Sequence, residues 1–152
     1  MKLLALDLGT KTGFKVGTPA AATSGTMSFA VNSRYEGGGM RFLRFRRWLN
    51  EVAASHGPLD QIAFEEVRNH KGVDAAHVYG GLMATLTAWC EENSVPYEAI
   101  PVGTIKRHWT GKGNANKDAM IEASRKRNLE PADDNEADAQ ALFDYVVTEA
   151  AR

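Results

Sequence analysis

The first strand of the chain constrains its fold more than any other feature. Residues 3–6, "LLAL", form an unbroken apolar run that ends in Asp7 and the turn sequence "LGTKTG". An apolar strand without polar alternation is typical of a central strand that is covered on both faces of a sheet. The carboxylate at its end makes an Asx turn, binds a metal ion, or precedes a Gly/Thr-rich loop that holds the phosphates of a nucleotide. The rest of the chain must decide between these alternatives.

The composition describes a globular protein of one domain, residues 1–152. Hydrophobic residues make up 43% of the chain and charged residues 24%, which excludes disordered and fibrous classes. Cys90 is the only cysteine, so no internal disulfide can form and a reducing compartment is expected. No stretch approaches about 18 consecutive apolar residues, and "MKLLAL" is too short for a secretory signal. We therefore expect a cytoplasmic protein without a membrane span.

The remaining elements alternate between strands and helices after an initial run of strands. Periodicity predicts strands over 12–19, 21–31, 61–67 and 95–101, and helices over 40–55, 74–92, 102–109, 117–128 and 134–150. Asp74 is the expected N-cap of the second helix. The order β-β-β-α-β-α-β-α predicts an α/β fold with a mixed five-stranded sheet, an antiparallel meander plus parallel strands, flanked by helices. This is the RNase H-like arrangement, and it is also the core that actin-like ATPases duplicate.

Acidic residues stand at three positions where a metal site can form. Asp7 ends the first strand, Glu65 lies near the end of the fourth strand, and Asp138 lies on the last helix in "DNEADAQAL". If strands one and four are parallel neighbours, Asp7 and Glu65 meet at their carboxyl ends, and the last helix can bring Asp138 over that edge. Asp134 precedes Asp138 by four residues and shares its helix face. Oxygen-only ligands favour Mg²⁺ or Mn²⁺ over zinc, and two such ions about 4 Å apart support phosphodiester hydrolysis.

Most of these carboxylates also have a structural interpretation. A glutamate at a strand end, such as Glu65, is often solvated. Asp133 or Asp134 can cap the last helix, with Glu136 completing a capping box from Asp133. Asp138 has no such explanation because it lies inside the otherwise apolar segment "ADAQAL". The set as a whole therefore favours a metal site.

Basic residues are grouped in four segments, although the net charge of −1 gives no global argument for nucleic acid. The segments are "RFLRFRRW" at 41–48, "RNHKG" at 68–72, "KRHWTGKGNANK" at 106–117 and "RKR" at 125–127. Acidic residues concentrate in "FEE" and "EPADDNEAD". This distribution favours an acidic centre with a basic rim.

Taken together, these motifs resemble the RuvC family of Holliday-junction resolvases, particularly its short phage and prophage members. The matching segments are "LALDLGTKTGF", "IAFEEV", "IKRHWTGKGNANKDAM" and "DNEADAQAL", in the family's order over residues 2–145. The resemblance implies a homodimeric endonuclease that depends on Mg²⁺, for which Mn²⁺ can substitute. Such an enzyme resolves four-way junctions or other branched DNA by paired phosphodiester hydrolysis. Small residues on the helix over 74–92 permit the close approach of another helix, which fits a dimer face and a monomer core equally well.

The resemblance also implies roles for individual residues. Asp7, Glu65 and Asp138 correspond to the family's catalytic metal ligands. Glu65 matches rather than the next residue, because the family's glutamate stands two residues before a valine. Lys106 and Lys117 correspond to basic residues near the scissile phosphate. Lys117 has the stronger case for a catalytic role, because a Gly-rich loop before a helix N-terminus attracts phosphate.

Two positions depart from the family pattern. Three residues before the last aspartate the family carries Asp or His, whereas this chain has Asn135. Either Asp134 or the Asn135 carbonyl then supplies a fourth metal ligand, and the shared helix face favours Asp134. The segment "VRNHKG" also lacks the aromatic residue that bacterial resolvases place after the strand glutamate, which bears on junction specificity rather than on nuclease chemistry. The residues of this segment that suit contacts with the DNA backbone instead are Arg68, His70 and Lys71. In the first basic segment, Arg44 and Arg47 are also predicted to contact DNA.

Three other functions stay open on the sequence alone. A YqgF-like nuclease of RNA processing shares the first motif and a late aspartate, although "AFEEV" and "DNEADA" are closer to RuvC. A catalytically inactive DNA-binding domain would keep the fold, but unused clustered charges cost stability. An actin-like ATPase or sugar kinase needs a second phosphate loop. No later Asp-Gly-Gly hairpin occurs, so that function is disfavoured.

Overall fold

The computed structural model describes residues 1–152, which form a five-stranded sheet flanked by five helices. The strands are β1 (Leu3–Asp7), β2 (Lys11–Thr18), β3 (Ala21–Ser28), β4 (Gln61–Glu66) and β5 (Tyr97–Pro101). The helices are α1 (Gly39–His56), α2 (Val73–Asn93), α3 (Val102–Thr110), α4 (Lys117–Lys126) and α5 (Asp134–Ala150). The strand order is β3-β2-β1-β4-β5, with β2 antiparallel to both of its neighbours and β4 parallel to both of its own. The predicted mixed α/β sheet is confirmed.

The alternation of side chains along β1 divides the core between the two faces of the sheet. Leu4 and Leu6 pack with apolar side chains of α1 and α2, whereas Leu3 and Ala5 pack with those of α3, α4 and α5. None of the four residues is exposed to solvent, which confirms a central strand covered on both faces. Asp7 continues the odd-numbered series, so its side chain lies on the face that α5 covers.

Contact between α1 and α2 depends on a glycine. A Cβ atom on Gly81 would overlap the ring of Phe42, whereas the neighbouring Gly80 faces open space. The small residues of this helix were expected to permit the close approach of another helix, and the structure assigns that role to Gly81. None of the five helices combines the length and the apolar character that crossing a bilayer requires.

Two helix termini differ from the sequence-based expectation. The N-cap of α2 is Gly72 rather than Asp74. Gly72 has a φ of 98°, a conformation that favours glycine, so the helix begins directly after it. Asp74 consequently lies in the first turn, where its charge interacts favourably with the helix dipole. α4 ends at Lys126 rather than at residue 128, because Asn128 adopts a left-handed conformation with a φ of 60°.

Candidate active site

Three carboxylates converge at one edge of the sheet. β1 and β4 are parallel neighbours with Leu6 opposite Phe64, so Asp7 and Glu65 follow side by side at the carboxyl ends of the two strands. Asp138, on the second turn of α5, lies over the same edge. One carboxylate oxygen from each of Asp7, Glu65 and Asp138 lies within 4.8 Å of the others. Glu65 is buried and the other two residues are half-buried.

The close approach of α5 to the sheet depends on Gly13. This residue is the partner of Asp7 in the β1–β2 pairing, and a Cβ atom on it would overlap the backbone carbonyl of Asn135. The first turn of α5 therefore lies directly on β2, beside Asp7. A larger residue at position 13 would push the helix away from the strand and would move Asp138 away from the other two carboxylates.

Hydrogen bonds between β3 and α5 fix the position of the helix. Asp133 caps α5 by accepting from the Glu136 N–H (2.8 Å) and also accepts from the Thr26 hydroxyl (2.7 Å). The Glu136 carboxylate accepts from the Ser24 hydroxyl (2.7 Å) and from the N–H of the residue before the cap (3.0 Å). Gln140 donates to the Ser24 oxygen (3.1 Å). The cap by Asp133 is present, but Glu136 accepts from the Ala132 N–H rather than from that of Asp133, so the predicted capping box is not formed. Both side chains also attach the helix to the sheet.

Tyr79 of α2 holds the end of β4. Its buried hydroxyl donates to the Glu65 carbonyl (2.7 Å) and accepts from the Val67 N–H (3.2 Å). Burial raises the pKa of Tyr79, so the hydroxyl stays protonated and remains a donor. The backbone on both sides of the strand end is thereby fixed, which orients the Glu65 side chain toward Asp7.

Thr12 stabilises the turn between β1 and β2. Its fully buried hydroxyl donates to the Gly9 carbonyl (2.7 Å) and accepts from the Gly9 N–H (3.3 Å). The Asp7 carboxylate makes no hydrogen bond to this turn. The Asx-turn alternative for Asp7 is therefore wrong, and the carboxylate faces the other two acidic groups.

Burial and mutual repulsion raise the pKa of two of the carboxyl groups. The pKa of Asp138 is raised to about 8, first by burial and then by the charges of Glu65 and Asp134, although the charge of Lys106 opposes the shift. Burial is also the main reason why the pKa of Asp7 lies well above its usual range, followed by the charge of Glu65 and a hydrogen bond with it. At neutral pH the cluster without a cation therefore retains protons.

The chemistry of the cluster fits a divalent cation. All three donors are carboxylate oxygens, which suit Mg²⁺ and Mn²⁺. Oxygens around one Mg²⁺ lie within about 4.2 Å of one another, twice the metal–oxygen distance. Small side-chain movements therefore bring the three donors into one coordination sphere. A bound cation would displace the protons and relieve the repulsion that raises the pKa values.

Lys106, Lys117 and Asp134 lie at the rim of the cluster. The charge of Lys106 acts on Asp138, and the Lys117 ammonium lies 3.8 Å from a carboxylate oxygen of Asp134. Asp134 is close enough for its charge to raise the pKa of both Asp7 and Asp138, but it is not one of the three residues within 4.8 Å. The choice between Asp134 and its neighbour as a fourth ligand stays a prediction.

The other predicted DNA contacts lie outside the cluster. Arg68 is exposed and pairs with Glu66 (2.7 Å), and Lys71 is exposed in the loop between β4 and α2. Arg44 and Arg47 lie on α1, which covers the face of the sheet opposite the carboxylates. Arg44 is ion-paired with a glutamate of the preceding loop, and Arg47 is exposed. The roles of these four residues in DNA binding stay predictions.

Comparison with solved structures identifies the fold. RuvC of Thermus thermophilus in complex with a Holliday junction substrate matches with a TM-score of 0.75 and 23% identity, over 93% of this chain and 90% of that chain. A second Thermus thermophilus RuvC structure gives a TM-score of 0.71 and 22% identity over the same shares. The chain has the RuvC fold. The yeast mitochondrial Holliday junction resolvase Ydc2 matches with a TM-score of 0.61 and 12% identity, over 92% of this chain and 75% of that chain. No family model and no curated protein matches the sequence.

The RuvC fold confirms the resemblance that the motifs indicated, while the phage or prophage origin stays a prediction. Sequence reasoning missed the residues that position the site, namely Gly13, Ser24, Thr26 and Tyr79. No local signal points to them, because their partners are distant along the chain. Ser24 and Glu136, for example, are 112 residues apart.

Proposed function

We propose that residues 1–152 form one RNase H-like nuclease domain that cleaves phosphodiester bonds in branched DNA, with the four-way junction as preferred substrate. The observation that carries this proposal is the cluster of Asp7, Glu65 and Asp138, with carboxylate oxygens within 4.8 Å of one another. The RuvC fold supports it, since the Thermus thermophilus protein of that fold is in complex with a Holliday junction substrate. The proposed enzyme is a Mg²⁺-dependent crossover junction endodeoxyribonuclease.

In this proposal Asp7, Glu65 and Asp138 hold two Mg²⁺ ions, with Asp134 as the fourth ligand, and Mn²⁺ can substitute. When bound, Mg²⁺ would lower the pKa of a water molecule and would stabilise the negative charge that develops on the phosphate. The protein supplies the fixed donors: Tyr79 orients the strand end that carries Glu65, and the contacts of α5 with β2 and β3 hold Asp138 in place. Preorganised donors need no rearrangement when the substrate arrives.

The basic residues of the rim bring the phosphate backbone to the carboxylates. Lys117 begins α4 beside Asp134, and Lys106 lies near enough to Asp138 to act on its pKa, so both can neutralise the scissile phosphate. Arg68 and Lys71 are exposed beyond the end of β4, where they can contact the backbone of an arm. We expect 5′-phosphate and 3′-hydroxyl ends, as the resemblance to RuvC resolvases implies.

A homodimer explains how two strands are cut in pairs. The outer face of α2 exposes apolar side chains, with Val73 66% and Met83 36% exposed, and Gly80 on the same face meets open space. Pairing of two copies about a twofold axis through this face would give two equal sites on opposite strands. Light scattering of the wild type and of Met83→Glu tests this pairing. A monomeric wild type would contradict it.

The function is tested by nicking assays on matched substrates. Wild type and Asp7→Asn are compared on a four-way junction, a three-way junction, a linear duplex and an RNA–DNA hybrid, in Mg²⁺ or EDTA. Asp118→Asn removes an exposed carboxylate of α4 outside the cluster and is the control. We expect paired nicks in the four-way junction that are lost in EDTA and in Asp7→Asn, whereas junction binding persists.

Other outcomes assign other functions. Normal cleavage by Asp7→Asn would refute the metal site. A preference for the RNA–DNA hybrid would keep the site and indicate an RNA-processing nuclease. Tight junction binding without any cleavage would indicate an inactive binding domain.

A further inference from the structure

A groove runs along α4, outside the carboxylate cluster. It has a volume of about 680 Å³ and lies between α4 and the loop that follows α3. Its lining includes the ring of Trp109, Ala115 of the loop, and the small side chains of Ala119 and Ala123 on α4. The groove is therefore a recess in the surface with room for an extended ligand.

The charged side chains that line this groove are mostly basic. Lys112 stands on the loop side, Lys126 and Arg127 stand at the C-terminal end of α4, and Glu122 is the only acidic residue of the lining. Both lysines are exposed and neither forms an ion pair. Two unpaired ammonium groups in one recess suit a ligand that carries several negative charges.

Arg127 is held in place before any ligand binds. Its guanidinium lies 3.8 Å from the centroid of the Trp109 ring and donates to the Ala123 carbonyl (2.9 Å). The indole N–H of Trp109 in turn donates to the Ser124 hydroxyl (3.2 Å), which fixes the ring. A guanidinium has five N–H donors, so most of them stay available to an anion. An oriented arginine is a typical phosphate contact.

The groove begins beside the proposed active site. Asn116, which caps α4, lines one end, and the next residue, Lys117, lies 3.8 Å from Asp134. From Asn116 to Lys126 the helix rises by roughly 15 Å, at 1.5 Å per residue. Successive phosphates on one strand of duplex DNA are separated by at least their rise of about 3.4 Å along the axis, so this length spans at most roughly four phosphates.

We propose that this groove binds the phosphodiester backbone of the DNA arm that leads away from the scissile phosphate. The proposal rests on the proposed nuclease function and extends the DNA contacts to Lys112, Lys126 and Arg127. These residues neutralise phosphates and read no bases, so they position the arm without sequence preference. In this proposal Lys126 and Arg127 of the segment "RKR" at 125–127 contact DNA phosphates, whereas Arg125 does not.

The test measures binding of a fluorescent four-way junction by fluorescence anisotropy at 50–200 mM salt, in the Asp7→Asn protein of residues 1–152. Lys112→Gln and Lys126→Gln are each expected to lower the salt slope by about 0.9 and to weaken binding about eightfold at 0.1 M salt, which is one lost phosphate contact. Glu122→Gln is expected to tighten binding. Arg125→Gln is the matched control, because it removes one exposed charge of the same helix that does not line the groove.

Equal effects of Arg125→Gln and Lys126→Gln would overturn the proposal, because they would indicate a diffuse charge effect. Unchanged binding in both groove lysine variants would overturn it as well. The proposed function is checked separately by nicking of the same junction with Asp7 intact. If nicking occurs and the groove variants bind normally, only the groove proposal fails. If the junction is neither bound nor nicked, both proposals fail.

Discussion

Replacing Asp138 with asparagine is expected to stabilise the protein in EDTA as the pH rises. The folded state holds the Asp138 pKa at about 8, whereas an unfolded aspartate has a pKa of about 3.9. A carboxyl group with a raised folded pKa stabilises the fold below about pH 4, and this contribution is lost as the pH rises to about 8. The wild type therefore loses stability across this window, and Asp138→Asn loses less.

The size of this effect follows from the proton that the folded state retains. One retained proton lowers the free energy of unfolding by about 1.4 kcal/mol for each pH unit, hence by about 2.7 kcal/mol between pH 5 and pH 7. Asp138 is half-buried, so water and counterions screen part of the repulsion, and we take half of that value, about 1.4 kcal/mol. For a chain of this length such a change corresponds to a shift in Tm of about 3–5 °C.

The assay is thermal unfolding of wild type and Asp138→Asn in EDTA at pH 5 and pH 7. All other titratable groups are the same in both proteins, so the difference between the two Tm values reports on the Asp138 carboxyl group and its effect on the neighbouring carboxylates. Asp118→Asn serves as the control outside the cluster, and its Tm should change between the two pH values by the same amount as that of the wild type. Added Mg²⁺ should stabilise the wild type more at pH 7 than at pH 5, because the cation binds the ionised form. A Tm difference that is the same at both pH values would refute the reasoning.

Three further predictions concern the groups that build the site. Gly13→Ala should lower the free energy of unfolding by about 1–3 kcal/mol and reduce cleavage, because the new methyl group meets the first turn of α5; unchanged urea denaturation would contradict this. Tyr79→Phe removes both hydrogen bonds at the end of β4, so it should lower the free energy of unfolding by about 1–2 kcal/mol and slow cleavage. A variant with the kcat and the urea midpoint of the wild type would show that Tyr79 does not position the site. Asp134→Asn should raise the Mg²⁺ concentration for half-maximal cleavage about tenfold, whereas Asn135→Ala should leave it unchanged. The reverse result would make the Asn135 side chain the fourth ligand.

The sheet was predictable from the sequence because its determinants are local. The apolar run of residues 3–6 requires a strand covered on both faces, and the structure places it at the centre of the sheet. The order of strands and helices limits the topologies to a few, since a parallel pair needs a crossover connection. The parallel pairing of β1 with β4 then brings Asp7 beside Glu65, two residues that are 58 positions apart in the chain.

The placement of α5 was not predictable, because it depends on contacts between distant residues. A glycine at position 13 is compatible with any strand, and only the folded chain shows that Asn135 occupies the space beside it. The hydrogen bonds of Thr26 with Asp133 and of Ser24 with Glu136 likewise cannot be predicted from the periodicity of the sequence. The α2 cap was mispredicted because aspartate is a common N-cap, and a positive φ at the glycine two residues earlier took precedence.

The most direct test of the metal site is the Mn²⁺ binding isotherm of wild type, Glu65→Gln and Glu66→Gln, measured by titration calorimetry without DNA. The two glutamates are neighbours in the chain, but Glu65 belongs to the carboxylate cluster and Glu66 pairs with Arg68. We predict that the wild type and Glu66→Gln bind Mn²⁺ alike and that Glu65→Gln loses at least about tenfold in affinity, as expected when a coordinating carboxylate is removed. Equal affinity of all three proteins, or no binding by the wild type, would contradict the assignment of the cluster as a metal centre.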